Sequence, residues 1–176
     1  LTTTLHRTDP GGEQSTYVIT YTYDAKDRLT GTRNSRDGVT ETTTSDYVYD
    51  GKTVTYTEKT WAGETLWNSQ KFKRTYLDDA LEKVLEERIT DKDDHIIQRI
   101  CNEYDQQERL VHSLEYSRGN SKVSETKYTY DGKLVICDKY WLKNTGEVSA
   151  VSKYIIKYSD DELTKPLIHG CLAAEE

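Results

Sequence analysis

Apolar and polar residues alternate along this chain in short runs, which is the two-residue period of a strand rather than the longer period of a helix. Tyr17, Ile19, Tyr21 and Tyr23 share one side of a run, as do Leu110, His112, Leu114 and Tyr116, and again Val148, Ala150, Tyr154, Ile156 and Tyr158. The other side carries Thr, Lys and Glu, with Val and Ile mixed in. Each run has the usual length of a strand, so the pattern predicts an all-β chain.

The runs repeat. Aligning on the second tyrosine of "YTYDAKDRLTG" (21–31) gives Tyr23, Tyr49, Tyr76, Tyr104, Tyr130 and Tyr158, spaced 26, 27, 28, 26 and 28 residues apart. Each period holds two runs separated by two kinds of turn, so the unit is a hairpin plus its connection. Asp50-Gly51 and Asp131-Gly132 read as type I′ turns, which sets Tyr49 opposite Lys52 and Tyr130 opposite Lys133. Another copy uses the longer Asp24-Ala25-Lys26-Asp27, flanked by Tyr23 and Arg28. The second kind of turn falls on the opposite edge, around "NSRDG" (34–38), "WAGET" (61–65), "DKDDH" (91–95), "SRGNS" (117–121) and "KNTGE" (143–147).

Joined in order, six units make an up-and-down antiparallel meander of about 12 strands, roughly 4.8 Å apart and on the order of 55 Å across before curling. A sheet that wide should coil or close, so the expectation is one domain over 1–176, a single curled open sheet or partial barrel. Neither face is continuously apolar, which argues against a lipid-facing barrel. "YLDDALEKVLEERI" (76–89) disputes the scheme: Leu77, Leu81, Val84, Leu85 and Arg88 stand at helical spacing behind an Asp78 cap. Its place in the repeat demands a turn and a strand instead, and the strand reading is preferred because context overrides propensity.

"YTYDAKDRLTG", "YDQQERLV" and "YTYDGKLV" resemble the YD repeats of the Rhs family, whose unit is a tyrosine-aspartate turn followed by Arg-Leu and a second strand. The resemblance covers nearly the whole chain, with good copies at Tyr23, Tyr104 and Tyr130. The glycine usual before Arg-Leu is replaced by Asp27 and Glu108, and Tyr76 and Tyr158 head degenerate copies. The closing "YSDDELTKPLIHG", where Pro166 ends the last strand, is similar to the end of short YD-type lipoproteins of gut Bacteroidetes. The resemblance implies an exported protein. Long Rhs proteins wrap such a sheet into a shell around a toxin, for which six units are too few.

Composition narrows the function. Only 34% of residues are hydrophobic, with one Phe and no Met against 14 Tyr, so the core must be thin and built largely of tyrosine rings. A net charge of −7 argues against nucleic acid and anionic membranes as partners. No apolar run is long enough for a transmembrane helix. The chain begins at Leu1 rather than Met, which suggests a leader either removed or trimmed away, and with the resemblance to lipoproteins a periplasmic or cell-surface location with a lipid anchor is expected.

The chemistry-bearing residues are sparse. Asp78-Asp79, Asp93-Asp94 and Asp160-Asp161-Glu162 read as solvated turn residues, and "DKDDH" lacks the glycine and distal Glu of an EF-hand loop. His6, His95, His112 and His169 show no metal-ligand spacing, and His112 reads as a packing residue on the aromatic face. Nucleophile and phosphate-loop motifs are missing, and no metal or cofactor is expected. Cys101 and Cys137 fall on the seventh and tenth predicted strands, about 14 Å apart, too far for a disulfide. Cys171 lies at the chain's end.

Trp61, Trp67 and Trp141, all the tryptophans of the chain, fall at or near the second kind of turn. Exposed, they would stack on a sugar or grip a peptide, helped by Asn68, Lys143 and Asn144. Buried, they would close the open end of a thin core. The expected function is a non-catalytic exported β-sheet module for binding or scaffolding at the bacterial cell envelope, with a glycan, peptide or protein partner. The alternatives are a carbohydrate-active enzyme with acidic residues in a concave face, and a remnant of a larger Rhs-like β-shell.

Overall fold

The structure is a computed structural model that describes residues 1–8 and 14–157, with the backbone alone for 6–8. The side chain of His6, and Tyr158, Asp160-Asp161-Glu162, Pro166, His169 and Cys171, lie outside the described residues. Among the described residues, twelve strands form one sheet in sequence order: β1 (Thr2–Thr8), β2 (Gln14–Tyr23), β3 (Leu29–Arg36), β4 (Val39–Asp50), β5 (Thr53–Ala62), β6 (Thr65–Tyr76), β7 (Val84–Thr90), β8 (Ile96–Tyr104), β9 (Leu110–Ser117), β10 (Lys122–Asp131), β11 (Leu134–Leu142) and β12 (Val148–Lys157). The fold is thus an all-β antiparallel meander in which β1 and β12 are the end strands and do not pair to close a barrel.

Tyr23, Tyr49, Tyr76, Tyr104 and Tyr130 stand at or next to the last residue of alternate strands, as the period requires. The strand count is displaced by one, because Thr2–Thr8 pairs with β2 ahead of the first tyrosine unit. Cys101 and Cys137 accordingly lie on β8 and β11, and both are free thiols. The expected strand after Tyr158 lies outside the described residues.

The disputed segment is a turn over 77–83 and then β7. Leu77 N–H bonds the Lys83 carbonyl at 2.8 Å, and Leu81 takes a φ of 58°, which no α-helix contains. Helix-forming side chains lose here to strand pairing.

Aspartate, arginine and tyrosine of the repeat motif form one device. Asp24 Oδ1 accepts the backbone N–H groups of Lys26 (2.8 Å) and Arg28 (3.0 Å), while its Oδ2 accepts Arg28 Nε at 2.8 Å. Asp105 does the same with Gln107 N, Arg109 N and Arg109 Nε at 2.9, 2.9 and 2.8 Å. Each guanidinium then lies over the next unit's tyrosine: Arg28 over Tyr49 at 4.7 Å, and Arg109 over Tyr130 at 4.5 Å. That tyrosine's hydroxyl donates to the carbonyl following the arginine, Tyr49 to Leu29 at 2.7 Å and Tyr130 to Leu110 at 2.9 Å. A turn of one unit is thereby clasped to the strand of the next. The guanidinium bond, followed by the backbone donors, holds the Asp24 and Asp105 carboxyls below the usual range.

The degenerate copy keeps the hydroxyl bond, Tyr104 to the Val84 carbonyl at 3.0 Å, but Lys83 replaces the arginine and pairs with Glu108 and Asp78. Burial, with Asp78 nearby, pushes the Tyr104 phenol up to about 12, so it remains a donor throughout the neutral range.

The missing motif glycines are explained by the same turns. Asp27 and Glu108 have φ of 57° and 59°, the left-handed corner of a three-residue hairpin loop. Glycine occupies that corner without a Cβ penalty. Asp27→Gly is expected to stabilise the protein by about 0.5–1 kcal/mol in urea melts, and a loss of stability would mean the Asp27 side chain carries an interaction of its own.

One turn differs from the sequence reading. Only Gly51 and Gly132 of their loops have positive φ (52° and 56°), whereas a type I′ turn needs it at both central residues. The loops are Gly51-Lys52 and Gly132-Lys133, so Tyr49 pairs with Val54 and Tyr130 with Val135, not with the lysines.

Two sets of contacts divide the chain into Leu1–Lys73 with Ile89–His95, and Arg74–Arg88 with residues from Ile96 onward. In the first unit Tyr56 stacks between Tyr47 (4.9 Å) and Phe72 (4.8 Å) beside buried Val54. In the second, Leu110, Tyr128, Val135 and Cys137 form the core, flanked by Tyr104, Tyr130, Tyr154 and Ile156. The predicted aromatic face fails on β9. A bulge makes Tyr104 pair with Leu110 while Glu103 pairs with His112, which turns Leu110 into the core and His112 to the opposite face.

Candidate functional site

The three tryptophans occupy different settings. Trp67, on β6 in the first unit, is 74% exposed beside exposed Leu66. Trp61, on β5 in the same unit, is half-buried, and its indole N–H donates to Thr43 Oγ1 at 3.3 Å. Trp141, on β11 in the second unit, is 40% exposed. The expected edge placement is met: Trp61 and Trp67 flank the Gly63-Glu64 turn, and Trp141 sits just before the turn of 143–147.

Around Trp141 the register builds a polar patch that the sequence did not disclose. Ser124 lies opposite both Trp141 and Glu115, and Ala150 lies on the other side of Trp141, so these four share a face. Lys139, two residues before Trp141, places its ammonium 4.1 Å from the indole centroid and 4.0 Å from Glu115. Glu115 is held at both oxygens, by Gln98 Nε2 at 2.7 Å and by Ser124 Oγ at 3.0 Å. A bulge between Lys122 and Ser124 sets this register, and no turn residue advertises it.

The other candidates have structural duties. Asp91, Asp93 and His95 bring ligand atoms within 4.8 Å of one another. Asp91 Oδ1, however, accepts Asp93 N and His95 N at 2.9 and 3.0 Å, the hairpin geometry of Asp24 and Asp105 with His95 in the arginine's place. Asp94 pairs with Lys71 at 2.7 Å. Asp78 pairs with Lys83 at 3.7 Å.

His112 bridges Glu103 of β8 and Glu125 of β10, at 3.3 and 3.1 Å. Glu125 is pulled down to about 2, first by the Lys122 ammonium at 2.5 Å, against desolvation that pushes it up, and then by His112. Its folded pKa lies below its ordinary 4.5, so the carboxylate's stabilisation is complete above that pH and fades as pH falls from about 4.5 toward 2. Urea midpoints measured from pH 6 to 3 should therefore fall less steeply for Glu125→Gln than for the unsubstituted chain. Equal slopes would show that the cluster contributes nothing in acid.

No family model and no curated protein matches the chain. Among solved structures it is similar to a porin-like protein from Bacteroides uniformis, with a TM-score of 0.54 and 15% identity over 85% of this chain and 56% of that one. The chain spans little more than half the length of that protein. At this identity the likeness is one of β-sheet fold.

Proposed function

We propose that the chain is a non-catalytic β-sheet module of the YD-repeat type, acting at the bacterial cell envelope by binding a glycan or peptide through its exposed indoles. The observation that carries this reading is Trp67, a large aromatic that folding leaves 74% in water. Leaving such a ring exposed forgoes burial energy that binding can recover, and interface anchors are enriched in tryptophan for that reason. The fold shared with a porin-like protein of Bacteroides supports an envelope location.

Three carboxylates are taken up in structure: Asp24, Asp105 and Glu125 are displaced toward lower pKa by hydrogen-bonded cations, the reverse of the displacement a general acid of glycoside cleavage needs.

Trp67→Ala tests the reading. Because the ring is exposed, its loss should shift stability by less than about 0.5 kcal/mol. On glycan and peptide arrays it should weaken capture by about 1–2 kcal/mol, roughly 5- to 30-fold. Undiminished capture would remove Trp67 from the site, and an array silent for the unsubstituted chain would favour scaffolding or a shell remnant.

A further inference from the structure

Among the described residues β12 ends the sheet: β11 pairs with one side of it, and no described strand pairs with the other. In a regular antiparallel pair every second residue turns its N–H and C=O away from the partner, so about half of the backbone groups of β12 face that outer side. From Ala150 to Lys157 the register with β11 is unbroken. Sheet edges are commonly blunted by short strands, proline or bulges along their length. β12 instead runs ten residues without proline or glycine and leaves Val151 and Ile155 59% and 63% exposed. Such an edge is built to take another strand.

Its side chains say which strand. Val151, Lys153, Ile155 and Lys157 alternate along one face, and all four are exposed. Across the sheet on this face, Ile155 continues the row of Ile136, and Val151 continues the row of Tyr140. Lys153 stands opposite Asp138 with its ammonium 3.8 Å from the carboxylate, and Asp138 in turn stands opposite Lys127. Apolar rows thus stay apolar and the charged row alternates in sign. A strand that extends them carries apolar residues beside Val151 and Ile155 and carboxylates beside Lys153 and Lys157. The end strands of a second copy do not supply it, because neither β1 nor β12 contains an acidic residue. We infer that the outer edge of β12 docks an extended peptide of another protein, in which acidic and apolar residues alternate at every second position. This surface is separate from the indoles and goes beyond the function proposed for them.

The test is a titration of the intact chain with the capped peptides ETVTETVT and KTVTKTVT, whose alternation reads alike in either strand direction. The amides of 150–157 are followed in ¹H–¹⁵N spectra and by hydrogen exchange. They should shift saturably and gain protection with the acidic peptide, and the lysine peptide should bind at least about tenfold more weakly, since it sets like charges opposite one another. Lys153→Glu combined with Lys157→Glu should reverse that order. If this pair unfolds the chain, Lys153→Ala with Lys157→Ala takes its place and should bring the two affinities to within about twofold. No saturable shift in β12, equal affinity of the unsubstituted chain for both peptides, or a preference unchanged by the substitutions overturns the proposal. So does slow exchange of all the β12 amides in the free chain, which would mean that the edge is already taken: by a second copy if protection fades on dilution, by residues beyond 157 if it persists. Each of these results leaves the indole reading and its Trp67→Ala test untouched.

Discussion

Replacing Tyr128 by alanine should lower stability by about 3 kcal/mol, whereas Thr129→Ala, one residue on, should change it by less than about 0.5 kcal/mol. Tyr128 pairs with Cys137 and is buried with Leu110 and Val135 in the core of its unit. Thr129 points to the other face and is exposed. With one Phe and no Met in the chain, few other large apolar residues stand ready to fill the void the ring would leave. Thermal or urea melts decide it, and equal losses would mean that the burial pattern of β10 is wrong.

The second large effect is expected at Arg74. Glu87, on β7, is only 5% exposed and takes the Arg74 guanidinium of β6 as its partner. Arg74→Ala would strand that carboxylate away from water, which costs about 3 kcal/mol or more when one partner of a buried pair is removed. Replacing both, as Arg74→Met with Glu87→Leu, should recover most of the loss because the buried carboxylate is gone with its partner. The pair also reports on the fold, since it joins residues 13 apart across a turn that the local sequence writes as helix. If Arg74→Ala is as mild as a surface change, the strand placement of Glu87 fails.

Much of the architecture was legible because it repeats. Tyrosines at near-constant spacing, with Gly or Asp/Asn at both kinds of turn, imposed a meander and overruled the helical run at 76–89. What stayed hidden depended on single-residue irregularities. The bulge that separates Leu110 from His112 reverses a face without leaving a glycine to mark it. The corners at Asp27 and Glu108 looked like departures from the motif and are the same left-handed turn with a costlier residue. Thr2–Thr8, rich in threonine and lacking a tyrosine motif, gave no repeat signal, yet it pairs along β2.

The site divided in the same way. Tryptophans near one set of turns could be placed from the period alone. Their exposure could not, because it depends on what stands across from them: Trp61 finds Thr43, while Trp141 finds Ser124 and Ala150. The Glu115 acceptor is assembled from β8, β9 and β10, and no spacing along the chain links Gln98, Glu115 and Ser124.

The measurement that bears most directly on the central claim is the fate of a bound ligand. The strongest ligand from the arrays, held with the intact chain at saturating concentration and recovered after prolonged incubation, should return by mass spectrometry with its mass and linkage unchanged while binding remains saturable. Products accumulating in proportion to protein and time would contradict a binding module and establish an enzyme.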